Sequence, residues 1–150
     1  MSDPTSTTQP KPAVVPSNPS GPLDWRRLVQ WLLADGVITA EEAQRTVARC
    51  SQAESTQHPL VRLANVGMAR AGDGRALDIE ELTQYLATRS GMAYLRIDPL
   101  RVDAGRVGEI MSASYAERHK VLPVQVSPQE VVVATAEPFI DDWVAEVQRT

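Results

Sequence analysis

Twice along the chain, a glycine suited to ending a helix precedes a cap suited to starting the next. Gly36 comes before Thr39 and Glu42, and Gly67 before Asp78 and Glu81. Glycine enters the left-handed backbone that closes a helix without a Cβ penalty. Thr or Asp three residues ahead of Glu forms a capping box, in which each side chain takes an otherwise orphaned amide. Ile38 with Ala43, and Leu77 with Leu82, are spaced as hydrophobic staples around the two boxes.

Apolar positions follow the same plan. Leu28, Trp31 and Leu32 share one face ahead of Gly36, with Asp24 placed to cap that helix. Ala43, Val47 and Cys50 continue a stripe after Thr39. Leu60, Leu63 and Ala64 form the next stripe, and Leu82, Tyr85 and Leu86 run to Gly91. The chain therefore reads as a duplicated helix pair. Neither pair alone covers its apolar face, so both are expected to pack into one small bundle over residues 24–91.

Past Gly91 the period shortens. Ala93 to Ile97 reads as a strand, Asp103 caps a short helix, and Ser112 or Ser114 begins another turn of helix with Tyr115 and Ala116. Val121, Leu122, Val124 and Val126 form a strand, residues 127–130 a turn, and Val131 to Ala134 a second strand, giving a hairpin. Asp141 or Asp142 caps a last helix whose Trp143, Val144 and Val147 are expected to cover one face of the sheet. The predicted class is α+β, with residues 92–150 as the α/β half. A chain of 150 residues, 43% hydrophobic, has room for one core or two small ones and none for a large catalytic domain.

Residues 1–23 carry Pro4, Pro10, Pro12, Pro16, Pro19 and Pro22 among small polar residues and are predicted to be a disordered tail. The Pro12/Pro16 and Pro19/Pro22 spacings are read as chance. A formal charge of −4 removes the general pull towards nucleic acid. Cys50 has no cysteine partner and fits a reducing compartment. No apolar run approaches the ~20 residues needed to cross a bilayer. There is no Gly-x-x-x-x-Gly-Lys-Ser/Thr stretch to cradle phosphates, so no ATP hydrolysis is expected from this segment. His58 and His119 are too far apart in sequence to suggest a metal site or triad, and no catalytic or metal-ligating residue is assigned. Cys50 reads as a small core residue, and Asp141 and Asp142 as helix caps.

The stretch from Glu117 to Val124, ERHKVLPV, followed by Val131 to Pro138, VVVATAEP, resembles the signature ahead of the ATPase core in type II secretion and type IV pilus assembly ATPases. Leu82 to Ile97, LTQYLATRSGMAYLRI, is similar to the helix preceding that family's first strand. The resemblance covers about residues 25–150. It implies a non-catalytic N-terminal docking and regulatory domain, held against an inner-membrane platform protein and its own ATPase core in the bacterial cytoplasm. ATP and magnesium would belong to that core.

In some branches of the family the duplicated helical half binds cyclic di-GMP, through repeats that open with Arg-Leu-Gly or Leu-Gly and end with Gln. Here Arg27-Leu28 and Leu60 match the openings, Val29 and Val61 stand at the glycine positions, and Cys50 and Arg89 at the glutamine positions. The resemblance thus implies Arg27, Leu28, Leu32, Leu60, Arg62 and Arg89 as candidate ligand-binding residues. Cyclic di-GMP binding is the alternative to docking. A β-branched side chain in place of glycine closes the backbone approach, and Cys50 lacks the two-sided amide of glutamine.

Overall fold

The computed structural model describes residues 20–149. Four helices come first: α1 (Trp25–Ala34), α2 (Ala40–Ser51), α3 (Pro59–Val66) and α4 (Ile79–Ser90). Asp24 caps α1 by accepting the Arg26 amide at 2.9 Å. The box on α4 is complete: Asp78 accepts the Glu81 amide at 2.8 Å and Glu81 accepts the Asp78 amide at 3.3 Å. The box on α2 is half-made. Thr39 accepts the Glu42 amide at 3.2 Å, but the Glu42 carboxylate turns inward to accept the Ala69 amide at 3.3 Å and pair with Arg45 at 3.2 Å. Gly36 and Gly67, with φ of 72° and 71°, take the left-handed positions expected of them. α3 begins differently from α1, with His58 Nδ1 accepting the Leu60 amide at 3.2 Å and Pro59 in the first turn.

The residues after each stopping glycine dive into the core. Ile38 and Met68 are buried beside Leu28, Leu32, Leu63 and Leu82. Met68 accepts the Leu77 amide at 2.8 Å, and Ala69 bridges Ala76, so the long connection from α3 to α4 folds as a miniature hairpin. α1 packs on α2, α3 on α4, and α1 on α3. Thr46 is fully buried, and its hydroxyl has no hydrogen-bond partner among the described residues.

The second half contains a 3₁₀ turn (Pro99–Arg101), α5 (Ala104–Ile110), α6 (Ala113–His119), β1 (Val121–Val126), β2 (Val131–Thr135) and α7 (Asp142–Gln148). β1 and β2 pair antiparallel from Val121 opposite Thr135 to Val126 opposite Val131. A bulge between Pro123 and Gln125 takes up Val124, at the place where proline withholds a ladder donor. Lys120, with φ of 56°, ends α6 in the left-handed conformation and turns the chain into β1. The class is α+β, as the sequence indicates.

Three readings need correction. Ala93 to Ile97 is no strand: residues 92–98 lack regular structure and are exposed. A strand needs a neighbour for its amides and carbonyls, and the sheet holds β1 and β2 alone among the described residues. The helices packed on the hairpin are α5 and α6, against β1. α7 is tied to α6 through Asp142 and His119, 3.7 Å apart. Asp141 stands at the head of α7 but makes no side-chain cap.

Residues 1–19 of the expected tail lie outside the described residues. Its last part is held in place: Leu23 is buried, and its amide donates to Glu137 Oε2 at 2.8 Å.

Candidate functional site

The six residues singled out as a ligand site fall into three environments. Leu28, Leu32 and Leu60 lie in the core, with Leu28 and Leu32 only 1% exposed. They belong to the hydrophobic core of the bundle. Val29, at the first glycine position, is buried with them, so its side chain fills space that glycine would leave open. Val61, at the second, is exposed.

The arginines are used differently. Arg62 on α3 donates to the carbonyls of Cys50 and Ala53, satisfying acceptors left over where α2 ends, and lies 5.3 Å from the Trp25 ring centroid. Arg89 on α4 spans both Asp35 carboxylate oxygens at 3.0 and 3.2 Å, with its guanidinium 4.9 Å from the Trp31 ring. Asp35 ends α1 and also accepts the Tyr85 hydroxyl at 2.5 Å. Burial beside that carboxylate pushes the Tyr85 phenol well above its ordinary value. Arg62 thus clamps α3 to the end of α2, and Arg89 clamps α4 to the end of α1. Arg27 is exposed on α1.

A cluster that sequence reasoning missed joins the two halves. Glu137 accepts the Leu23 amide through one oxygen, and its other oxygen lies 3.9 Å from His58 Nε2. His58 Nδ1 already accepts the Leu60 amide, so Nε2 carries the proton and donates to the Ala136 carbonyl at 2.7 Å. Phe139 meets Trp31 edge to face at 5.7 Å, and its carbonyl accepts the Gly21 amide at 3.1 Å. The Ala136-Glu137-Pro138-Phe139 run after β2 therefore locks the hairpin onto the start of α1 and the cap of α3. Its signal in the sequence was faint: Glu137 and Pro138 lie inside the family-like stretch, and Phe139 is the chain's single phenylalanine.

Exposed apolar surface is concentrated between the halves in sequence. Met92, Tyr94, Leu95, Ile97 and Leu100 are all exposed, Leu100 by 95% and Leu95 by 51%. On the helical half, Leu33, Val47 and Val61 are exposed singly on α1, α2 and α3. Among the described residues, no group of His, Cys, Asp and Glu could hold a metal ion, and no helix is long and apolar enough to cross a membrane. The arrangement consists of internal clamps and outward apolar side chains.

Residues 90–150 match the MshEN domain. This match, together with the similarity that follows, supports an N-terminal domain of a pilus or secretion assembly ATPase. It is 31% identical over 130 residues to the type IV pilus assembly ATPase TfpB of Acinetobacter baylyi. That similarity takes in 84% of this chain but spans only 22% of the relative's length. Within residues 90–150 lie the unstructured segment, the hairpin and the Ala136-Glu137-Pro138-Phe139 run of the joint.

Proposed function

We propose that this chain is a non-catalytic docking and regulatory module of a pilus or secretion assembly ATPase, and that it binds an inner-membrane platform protein through its helical half. Similarity to a pilus assembly ATPase over most of the chain is the observation that carries this reading. The geometry supports it in two ways. The joint at Glu137, His58 and Phe139 ties the helical half to the hairpin, a route by which a load on one would reach the other. Val47 on α2 and Val61 on α3 offer apolar contacts outside the internal clamps. ATP hydrolysis would lie elsewhere in such an assembly, and the module would act at the cytoplasmic side of the inner membrane through its partner.

The test is co-purification of the chain with the platform protein from a bacterium that encodes a pilus or secretion ATPase. Capture is expected to fall when Val47 and Val61 are both changed to Glu, with the helical circular dichroism unchanged. If the platform protein is never retained by the unaltered chain, the docking reading fails.

A further inference from the structure

Among the described residues, an exposed apolar stretch is also one with unused backbone. Ala93 through Ile97 make no backbone hydrogen bond to any other described residue; the last anchor before them is the Met92 amide donating to Ala87, at 2.9 Å. The composition, Ala-Tyr-Leu-Arg-Ile, is that of a strand. Tyr94 and Arg96 both reach one carboxylate: the Tyr94 hydroxyl donates to Glu80 Oε1 at 3.2 Å, and Arg96 lies 3.8 Å from the same oxygen. Residues 94 and 96 therefore point to one side, towards α4, as alternate residues of an extended chain do. Ala93, Leu95 and Ile97 are left for the opposite side. An extended segment whose amides and carbonyls are unpaired among the described residues, with an apolar face, is a template for strand addition.

We propose that residues 93–97 pair antiparallel with the same residues of a second copy of this chain, about a two-fold axis at Leu95. The segment is complementary to itself in that register. Leu95 faces Leu95, Ala93 faces Ile97, and Tyr94 faces Arg96 twice, each guanidinium opposite an aromatic ring and already offset by its own Glu80. Centring the axis on Arg96 would set two guanidinium groups against each other. Placing the axis between Leu95 and Arg96 would mix the apolar and charged faces. A two-fold pairing uses one surface on both partners and closes after two copies, so it yields a dimer rather than a fibre. This inference does not rest on the docking reading, because it uses a different surface.

Sedimentation of the whole chain over a range of concentrations should show a monomer–dimer equilibrium, with amide exchange in residues 93–97 slowing as the dimer fills. Leu95→Asp alone and Leu95→Lys alone each place like charges on the axis and should weaken the dimer at least tenfold. Mixing the two variants should restore it. Leu95→Cys should cross-link between copies on oxidation, whereas the unaltered chain, with Cys50 buried, should not. A chain that stays monomeric into the millimolar range with fast exchange at 93–97 would overturn the proposal. So would a dimer that both charge variants leave intact, or amides at 93–97 that are protected in the monomer.

Discussion

The two halves of this chain are held together by different means. The helical half has a deep core, with Leu28, Leu32, Ile38, Leu63, Met68 and Leu82 almost completely removed from water and most helix starts capped by a side chain. In the other half the buried set is small, Met111, Val121, Pro123 and Phe139, and α5, α6 and α7 each contribute no buried residue. A two-stranded hairpin is marginal in water without something to pack on. Here that support comes from α5 and α6 on β1, and from the joint at Glu137, His58 and Phe139. The helical half should therefore tolerate loss of the hairpin better than the hairpin tolerates loss of the joint.

The largest effect that sharpens this contrast is in the core. Leu63→Ala removes a side chain with no exposure, at the centre of α3, and should cost about 3 kcal/mol of unfolding free energy. Urea unfolding followed by circular dichroism is expected to show both halves melting together at a lower midpoint, because the hairpin has lost its platform. Phe139→Ala should cost nearly as much, ~2–3 kcal/mol, by removing the contact with Trp31, but its signature should differ. Amide exchange should quicken across β1 and β2 while α1 to α4 keep their protection. If exchange rises equally throughout, the halves form one cooperative unit and the contrast is wrong.

Glu137→Ala tests the polar part of the joint. It leaves the Leu23 amide without its acceptor and should cost about 1–2 kcal/mol, again felt first in the hairpin. Thr46→Val runs the other way. Removing a buried hydroxyl with no hydrogen-bond partner should stabilise the helical half by ~1 kcal/mol, visible as a higher urea midpoint.

Local signals made the helical half legible in the sequence. Asp24, Thr39 and Asp78 caps, the Gly36 and Gly67 stops and the leucine stripes each act within a few residues, so reading them along the chain was enough. The hairpin was legible for the same reason: residues 127–130 separate two valine-rich runs. What sequence could not supply was partnership at a distance. Ala93 to Ile97 has strand composition, yet strand formation depends on a neighbour that local pattern does not reveal. The inward turn of Glu42 towards Ala69, and the reach of Glu137 to Leu23 across 114 positions, are tertiary choices of the same kind. So is the use of Arg62 and Arg89. Each was read as a ligand candidate on resemblance, and in the fold each is taken up with the end of a neighbouring helix. Cyclic di-GMP binding is checked directly by titration, with chemical-shift changes near Arg27, Leu28 and Leu60 as the readout. Saturable binding would show that valine at positions 29 and 61 is tolerated.

The smallest expected effect lies in the connection between α3 and α4, where the helical half comes closest to the loose character of the other. Arg70 binds Asp73 through two bonds, at 3.2 and 2.5 Å, and Asp73 also accepts the Arg75 amide at 3.1 Å. The hydrogen bond from Arg70, then that from Arg75, holds the Asp73 carboxyl down to about 2, below its ordinary 3.8. A depressed carboxyl stabilises the fold above its unfolded value and loses that contribution as pH falls through the folded value. The miniature hairpin should thus stay closed at pH 5 and begin to open only below pH 3.8, most of the change falling as Asp73 protonates near 2. The Asp73 side chain is exposed, so the effect on global stability should be slight. The sensitive measurement is the Ala69 and Ala76 amide shifts against pH, in the native chain and in Asp73→Asn. If those shifts titrate in the native chain with an ordinary carboxylate midpoint, Arg70 does not hold the loop in solution, and the α3–α4 connection belongs with the loosely held segments of the second half.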